Sequence, residues 1–226
     1  MPAVPRIRPA ILSPVPELAF AVDGSSGVDY AAVPTLSFTL RVQAPGGHPI
    51  RSLMLDVQIQ IAARRRSYGP GPHDRLLELF GPPGGWSTTL RTLPWLRTTK
   101  VVPAFEGTTT VDLPVACTYD LQVTASRYLA ALDDGAVPLE FLFSGSVFFA
   151  TSEGALQTAR IGWEHEVDYD MPIAVWKQAM DRHFPDSAWL RVGTQSFAAL
   201  CAYKARHAFG SWDETIEALL SRAGPA

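Results

Sequence analysis

The densest group of side chains that could do chemistry is the acidic run between positions 164 and 170. It contains Glu164, Glu166, Asp168 and Asp170 at alternate positions. On a β-strand these carboxylates would form one row with neighbours about 6.5–7 Å apart, and Trp163, His165, Val167 and Tyr169 would share the other face. A hard cation such as calcium could bind part of the row together with loop oxygens. The alternative is a solvated acidic face on an outer strand, which also blocks edge-to-edge pairing.

The other reactive residues are scattered. His48, His73, His183 and His207 form no HxxxH or HExxH spacing, and His165 is expected to be a hydrogen-bonded residue on an apolar face. Cys117 and Cys201 belong to no CxxC pair, and Cys201 lies on the inward stripe of a predicted helix. The sequence has no phosphate-binding GxxxxGK[ST], no GxGxxG and no GxSxG. We therefore predict no catalytic site, no metal site and no cofactor.

Charge is low and unevenly distributed along the chain. The 226 residues carry a net charge of −3, and charged residues make up 18%, below the roughly 25% typical of globular domains. This balance argues against a general nucleic-acid-binding protein, because such proteins need a basic face to neutralise phosphates. Residues 64–107 hold seven basic and three acidic residues, whereas 108–226 hold eight basic and fifteen acidic ones.

Three consecutive arginines, Arg64, Arg65 and Arg66, follow a strong strand pattern. They are candidate binding residues for an acidic partner or for a nucleic-acid phosphate. They could instead dock onto the acidic C-terminal part of the same chain or of a neighbouring subunit, or form a solvated strand end.

The elements that must position these residues are mostly β-strands. Apolar and polar residues alternate over 35–43 and again over 53–61, which predicts two half-buried strands. We interpret them as an antiparallel pair, joined by the turn residues 44–48. Further strands are predicted over 109–115 and 119–125, and a long hairpin over 137–151 and 155–169. Residues 126–132 suit either a strand or a short helix.

Residues 64–107 interrupt this pattern with an irregular insertion rich in glycine and proline. Asp74 could cap a short helix over 75–80, with short strands near 87–93 and 97–102. Long insertions often bind partners, so Trp86, Trp95 and Phe105 are candidate binding residues. Alternatively, the insertion covers one end of the sheet and uses its aromatic residues as a lid.

The C-terminal part, 171–223, changes to helical periodicity. Ile173, Trp176, Met180 and Phe184 share one helix face, with Asp170 as its expected cap. A second helix begins at Thr194, with Phe197, Leu200 and Cys201 inward. Ser211 and Glu214 form a capping box for a third helix.

The overall prediction is therefore an α+β fold: an antiparallel β-sheet followed by two to three α-helices. A proline-rich arm, 1–16, precedes a single domain over 17–226. The arm's five prolines interrupt any signal-peptide core, and no apolar run reaches the length of a membrane span. We expect a cytoplasmic protein.

Apolar positions in the C-terminal half carry a family resemblance. Phe184 and Pro185 close a helix, Leu190 and Val192 follow, and Phe197 and Leu200 open the next helix. This spacing, over about 108–208, resembles the C-terminal segment of SecB-like chaperones. The resemblance implies a cytosolic oligomer that holds unfolded chains. The insertion 64–107 has no counterpart in that family.

The whole chain, in segments such as 139–149, also resembles a family encoded beside high-affinity nickel–iron uptake hydrogenase genes. Together the two resemblances imply an accessory or assembly factor that binds another protein and forms a homo-oligomer. The expected function is a non-enzymatic holdase or assembly chaperone. A structural subunit of a larger complex is the alternative, and a metal-dependent hydrolase using 164–170 is a second one.

Overall fold

The computed structural model describes residues 15–118, 123–151, 153–187 and 191–224. The chain divides into two compact units, residues 1–187 and residues 188–226, where the sequence analysis expects one domain over 17–226. The proline-rich arm lies almost wholly outside the described residues. No helix in the described ranges has both the length and the apolar character needed to cross a membrane.

Seven strands of the first unit form two antiparallel sheets. Sheet A has the order β1-β2-β5 and sheet B the order β4-β3-β6-β7. The strands are β1 (Ala19–Gly27), β2 (Thr35–Gln43), β3 (Ile50–Ile61), β4 (Leu93–Val102), β5 (Thr108–Ala116), β6 (Ala136–Ala150) and β7 (Leu156–Pro172). The α+β class and the antiparallel orientation of the paired strands are as predicted.

Helices are not confined to the C-terminal part. The first unit contains α1 (Gly71–Phe80), α2 (Trp86–Thr89), α3 (Thr124–Ala130) and α4 (Ile173–His183), with 3-10 turns at Ala63–Arg65 and Pro83–Gly85. In α4, Ile173, Trp176 and Met180 are buried as their spacing predicts. Pro172, rather than Asp170, stands at its N-terminal cap.

The core lies between the two sheets. Along β2 every second residue is buried, from Leu36 to Val42, and the same alternation runs along β3. The two sheets meet at Phe38 of β2, whose ring centroid lies 5.1 Å from that of Phe141 in β6. Alternating apolar residues thus supply one inward face to each sheet, and the polar residues between them face outward.

The predicted pairing of 35–43 with 53–61 is wrong. β2 pairs with β1 and β5, whereas β3 pairs with β4 and β6, so the two strands belong to opposite sheets. The loop between β4 and β5 hydrogen-bonds to both ends of the connection between β2 and β3. Ala44 N–H donates to the Gly107 carbonyl over 2.7 Å, and Ile50 N–H donates to the Phe105 carbonyl over 2.9 Å. Burial of one face identifies a strand but does not identify its neighbour.

The insertion is more helical than expected. Residues 71–80 form α1, which begins four residues before the predicted start. The strand predicted near 87–93 is wrong, because α2 covers Trp86–Thr89, whereas the one near 97–102 is confirmed as part of β4. Within the strand predicted at 119–125, residues 119–122 lie outside the described part, and Thr124 and Ala125 begin α3.

The second unit is a pair of helices, α5 (Thr194–His207) and α6 (Trp212–Ala223). The predicted cap of α6 is present: Glu214 N–H donates to Ser211 Oγ over 3.1 Å. The Glu214 carboxylate accepts from Gly210 N–H over 2.7 Å, one residue before the N–H of a regular capping box. The predicted inward face of α5 is only half-covered, since Leu200 and Cys201 are half-buried and Phe197 is exposed.

Candidate functional site

The acidic run lies on β7, the strand at one edge of sheet B. Glu166, Asp168 and Asp170 point to solvent, while His165, Val167 and Tyr169 are half-buried on the inward face. This alternation is as predicted. It places a row of carboxylates on the outer face of sheet B.

A β-bulge at the start of this row reverses the prediction for Trp163. The pairing of β6 with β7 shifts between Phe143, opposite His165, and Gly145, opposite Ile161. The extra residues of β7 turn the Trp163 side chain outward, and it is 85% exposed. At the same bulge, the Glu164 carboxylate lies against Gly162.

Trp163 stands at the rim of a depression in the outer face of sheet B. The depression has a volume of about 270 Å³ and is lined by Asp56, Gln58, Arg97, Leu142, Phe143, Ser144 and Trp163. Arg97 donates to Asp56 over 2.8 Å and Thr99 Oγ1 to the same carboxylate over 3.3 Å. The Arg97 hydrogen bond lowers the pKa of Asp56, with help from Thr99. The depression therefore combines the exposed Trp163 indole with the Arg97–Asp56 ion pair, whose charges compensate each other, and with uncharged polar groups.

A carboxylate on the next strand joins the acidic row. Glu140 of β6 lies opposite Asp168, and the carboxylate oxygens of Glu140, Glu166 and Asp168 lie within 4.8 Å of one another. Burial raises the pKa of Glu140, and the charges of Glu166 and Asp168 add to the rise. The Arg65 guanidinium donates to Asp168, and this hydrogen bond raises the pKa of Arg65.

The carboxylate cluster could bind a hard cation, because oxygen ligands of this kind suit calcium and magnesium. Arg65 already places a positive charge against Asp168, so a metal ion would compete with it. The same negative surface could equally bind the lysine or arginine side chains of another protein.

Glu140 is not among the residues predicted from the sequence, although the register of the hairpin is a signal that could have found it. A hairpin turning at 152–154 brings residues 138–142 of its first strand opposite 164–168 of its second. The predicted hairpin alone therefore indicates that Glu140 shares a neighbourhood with Glu166. The bulge then moves its direct partner to Asp168.

Comparison with known proteins gives one assignment. Residues 15–226 match the model of a family described as "Family of unknown function (DUF6084)". The chain belongs to this family. No curated protein matches it.

Two solved structures are similar to this DUF6084 member at low identity. The ApaA protein from Bordetella pertussis is 14% identical, with a TM-score of 0.29, over 70% of this chain and 95% of the other. A β-glucosidase from Kluyveromyces marxianus is 10% identical, with a TM-score of 0.23, over 69% of this chain and 15% of the other. At these TM-scores neither likeness bears on fold or function.

In this DUF6084 member the three consecutive arginines dock onto their own chain. Arg64 donates to the Leu90 carbonyl over 3.1 Å, and Arg66 donates to the backbone carbonyls of Asp134 and Ala136. Arg65 reaches Asp168, which is 103 positions away. Arg65 and Arg66 thus contact acidic residues of the later segment, which corresponds to one of the alternatives left open, whereas Arg64 contacts the insertion itself.

The three aromatic candidates of the insertion lie in different surroundings. Trp86 is buried between Tyr68, His73 and Phe80, and its Nε1–H donates to the Gly81 carbonyl over 2.7 Å. Trp95 and Phe105 are half-buried, and the Trp95 ring meets Phe38 edge-on at 6.2 Å. All three side chains therefore take part in packing within the first unit, and the most exposed tryptophan beside a depression is Trp163.

The histidines and cysteines make packing contacts. His165 meets the Phe20 ring edge-on at 5.2 Å, and the ring nitrogens of His183 hydrogen-bond to the Ala31 and Ala179 carbonyls. Cys117 is buried, which raises its pKa to about 12 and keeps it a thiol. A neutral buried thiol is a poor nucleophile.

Proposed function

We propose that this DUF6084 member is a non-enzymatic protein-binding factor that uses the outer face of sheet B. The exposed Trp163 beside the depression carries the proposal. Covering a tryptophan side chain removes about 150–250 Å² from water, worth about 4–6 kcal/mol at 25 cal/mol per Å². Tryptophan is also among the residues that most often dominate protein interfaces.

The second unit supports the same function. None of the residues of α5 is buried, and on α6 only Thr215 is, among the residues described. Large apolar side chains stand exposed on the two helices: Phe197, Trp212, Ile216 and Leu220. Fewer than about 40 residues rarely bury enough apolar surface to fold alone. An additional surface would supply the missing burial.

The kind of partner follows from the resemblances given above. An assembly chaperone for a hydrogenase subunit is the first form of the proposal to test, and a SecB-like holdase is the broader form. The alternative is a structural subunit of one larger complex. An assembly factor should release its partner once the partner is mature, whereas a subunit should stay bound.

The test is affinity purification of the tagged full-length protein from its native cells, followed by light scattering and mass spectrometry. Trp163→Ala is compared with Tyr30→Ala, because Tyr30 is also a highly exposed aromatic residue and lies between β1 and β2 of sheet A, outside sheet B. We expect one stoichiometric partner with the wild type and Tyr30→Ala, and its loss with Trp163→Ala.

Other outcomes separate the alternatives. Many substoichiometric chains on a defined homo-oligomer would indicate a general holdase. A partner retained by Trp163→Ala would show that the outer face of sheet B is not the binding surface. A monomer without any partner would refute the protein-binding proposal.

The cluster of Glu140, Glu166 and Asp168 favours a second candidate, the metal-dependent hydrolase. Calorimetric titration with Ca²⁺ and Mn²⁺ tests it. Micromolar binding that is lost in Glu166→Gln would support a metal site, and the absence of heat with either cation would remove this candidate.

A further inference from the structure

Among the strands that the structure describes, none pairs with the edge of sheet B at β7. β7 pairs with β6 on one side, and within the described ranges no strand pairs with its other side. β1 of sheet A meets β7 through side chains: Ser25 Oγ lies 3.0 Å from the Tyr169 hydroxyl oxygen, and Phe20 meets His165. Unpaired N–H and C=O groups along an edge strand are ready to pair with another extended chain.

The side chains beside this edge select which chain could pair there. Glu166, Asp168 and Asp170 recur at every second residue, so that their Cα atoms are about 6.5–7 Å apart, and Glu140 adds a fourth carboxylate from β6. Arg65 compensates one of these charges. An added strand places its alternate side chains about 4.5–5.5 Å from this row. Lysine or arginine at those positions would face carboxylates.

A second copy of the same strand is disfavoured at this edge. In an antiparallel pairing of two β7 strands, carboxylates would face carboxylates, and like charges directly opposite destabilise a sheet. The acidic row therefore repels a second copy of β7 and attracts a basic strand. Specific interfaces commonly combine such repulsion of one partner with attraction of another.

Trp163 favours the same kind of ligand independently of the carboxylates. Its indole is 85% exposed at the end of the row. The face of a tryptophan ring attracts lysine and arginine cations, with a contribution of about 0.5–1 kcal/mol at exposed sites. A basic residue at the end of an added strand could contact it.

We propose that the partner contributes an extended segment with lysine or arginine at every second position, which adds to β7 as a fifth strand of sheet B. The inference rests on the proposed protein-binding function and specifies the chemistry of the partner. Backbone hydrogen bonds to the edge supply affinity, and the alternate basic side chains supply specificity.

The test uses two labelled ten-residue peptides of identical composition with the full-length protein. One alternates Lys with Thr, and the other has five Lys followed by five Thr. Fluorescence anisotropy measures each dissociation constant. We expect the alternating peptide to bind roughly fivefold more tightly, because only its lysines match the row with ordinary exposed ion-pair energies. Equal binding of the two peptides would overturn the strand-addition proposal.

Charge variants locate the site. Glu166→Gln combined with Asp170→Asn should weaken the alternating peptide roughly fivefold. The matched control, Glu106→Gln with Asp112→Asn, makes the same charge change at two exposed residues outside sheet B and should leave binding unchanged. An equal loss in both double variants would mean that only net charge matters, which overturns the proposal.

Hydrogen exchange supplies a second readout that charge alone would not change. The bound alternating peptide should slow the exchange of the backbone amides between 163 and 170 that point away from β6. Unchanged exchange of these amides would refute strand addition. Failure of this inference differs from failure of the proposed function. Suppose that a cellular partner is lost in Trp163→Ala but kept in the double variant at 166 and 170. The protein-binding function would then stand, and the addition of a basic strand would be refuted.

Discussion

Gly145 of β6 lies opposite Leu55 and close against the backbone of β3. Its φ is +136°, a value that residues with a side chain rarely adopt. A Cβ at this position would overlap the Met54 carbonyl oxygen and would lie 3.1 Å from the Met54 carbonyl carbon and 3.3 Å from Asp56 N. All three are backbone atoms of the central strand β3, so they cannot rotate away. Gly145→Ala should therefore displace one strand from the other.

The expected cost has two parts. A disfavoured backbone conformation costs about 1–3 kcal/mol, and an overpacked contact costs about 1–3 kcal/mol. Taking the middle of each range gives about 4 kcal/mol. In a chain of this size, 1 kcal/mol lowers the melting temperature by about 2–4 °C, so Gly145→Ala should melt about 8–16 °C below the wild type.

Alanine substitutions at two other glycines distinguish the conformational cost from the overpacking cost. Gly154 also has a positive φ, +84°, but a Cβ there would meet nothing within 4 Å. Gly154→Ala should therefore lose only the conformational part, about 1–3 kcal/mol. A Cβ at Gly84 also meets nothing, and no positive φ applies, so Gly84→Ala should stay within about 1 kcal/mol of the wild type.

The assay is urea unfolding followed by circular dichroism, with thermal melts in parallel. If Gly145→Ala loses no more stability than Gly154→Ala, the close contact between β6 and β3 is not present in solution and the reasoning fails. Since Gly145 resumes the register after the bulge that presents Trp163, the variant should also alter quenching of tryptophan fluorescence by acrylamide.

Three further predictions concern other links between sequence and stability. Glu140 faces Asp168 across the strands, and burial raises its pKa in the fold. Stability is therefore lost as the pH rises from the unfolded pKa through the higher folded pKa. Glu140→Gln should stabilise by about 0.2–1 kcal/mol at pH 7 and by less near pH 4, as urea unfolding at both pH values would show. Phe38→Ala should cost about 3–5 kcal/mol, because Phe38 is fully buried where the sheets meet, and a loss below 1 kcal/mol would contradict that position. Ser211→Ala removes the acceptor of the Glu214 N–H and should cost about 1 kcal/mol of helix stability, visible as faster amide exchange at the start of α6, whereas Ser221→Ala near its end should not.

Local patterns were sufficient to predict the elements whose signals lie within one segment. The hairpin expected over 137–151 and 155–169 is present as β6 and β7, because long alternating runs on either side of a turn leave few other pairings. The start of α6 is also confirmed, since its cap involves residues only three positions apart. These predictions needed no information about distant parts of the chain.

The errors come from contacts between distant segments. Alternation along β2 and β3 identifies a buried face, but either a hairpin or a sandwich satisfies it, so the pairing was open. The outward turn of Trp163 depends on a bulge that alternation alone does not reveal. The ion pair of Arg65 with Asp168 joins residues on either side of three intervening strands, and no local pattern connects them.

The charge asymmetry of the sequence takes on a different meaning once these contacts are known. Three arginines of the basic insertion bind acidic residues or carbonyls of the later segment: Arg65 meets Asp168, Arg66 meets Asp134 and Arg75 meets Asp133. The positive charge of the insertion thus holds it against its own chain. Glu166, Asp168 and Asp170 stay exposed along β7, and these carboxylates are the charges that the proposed basic strand would meet.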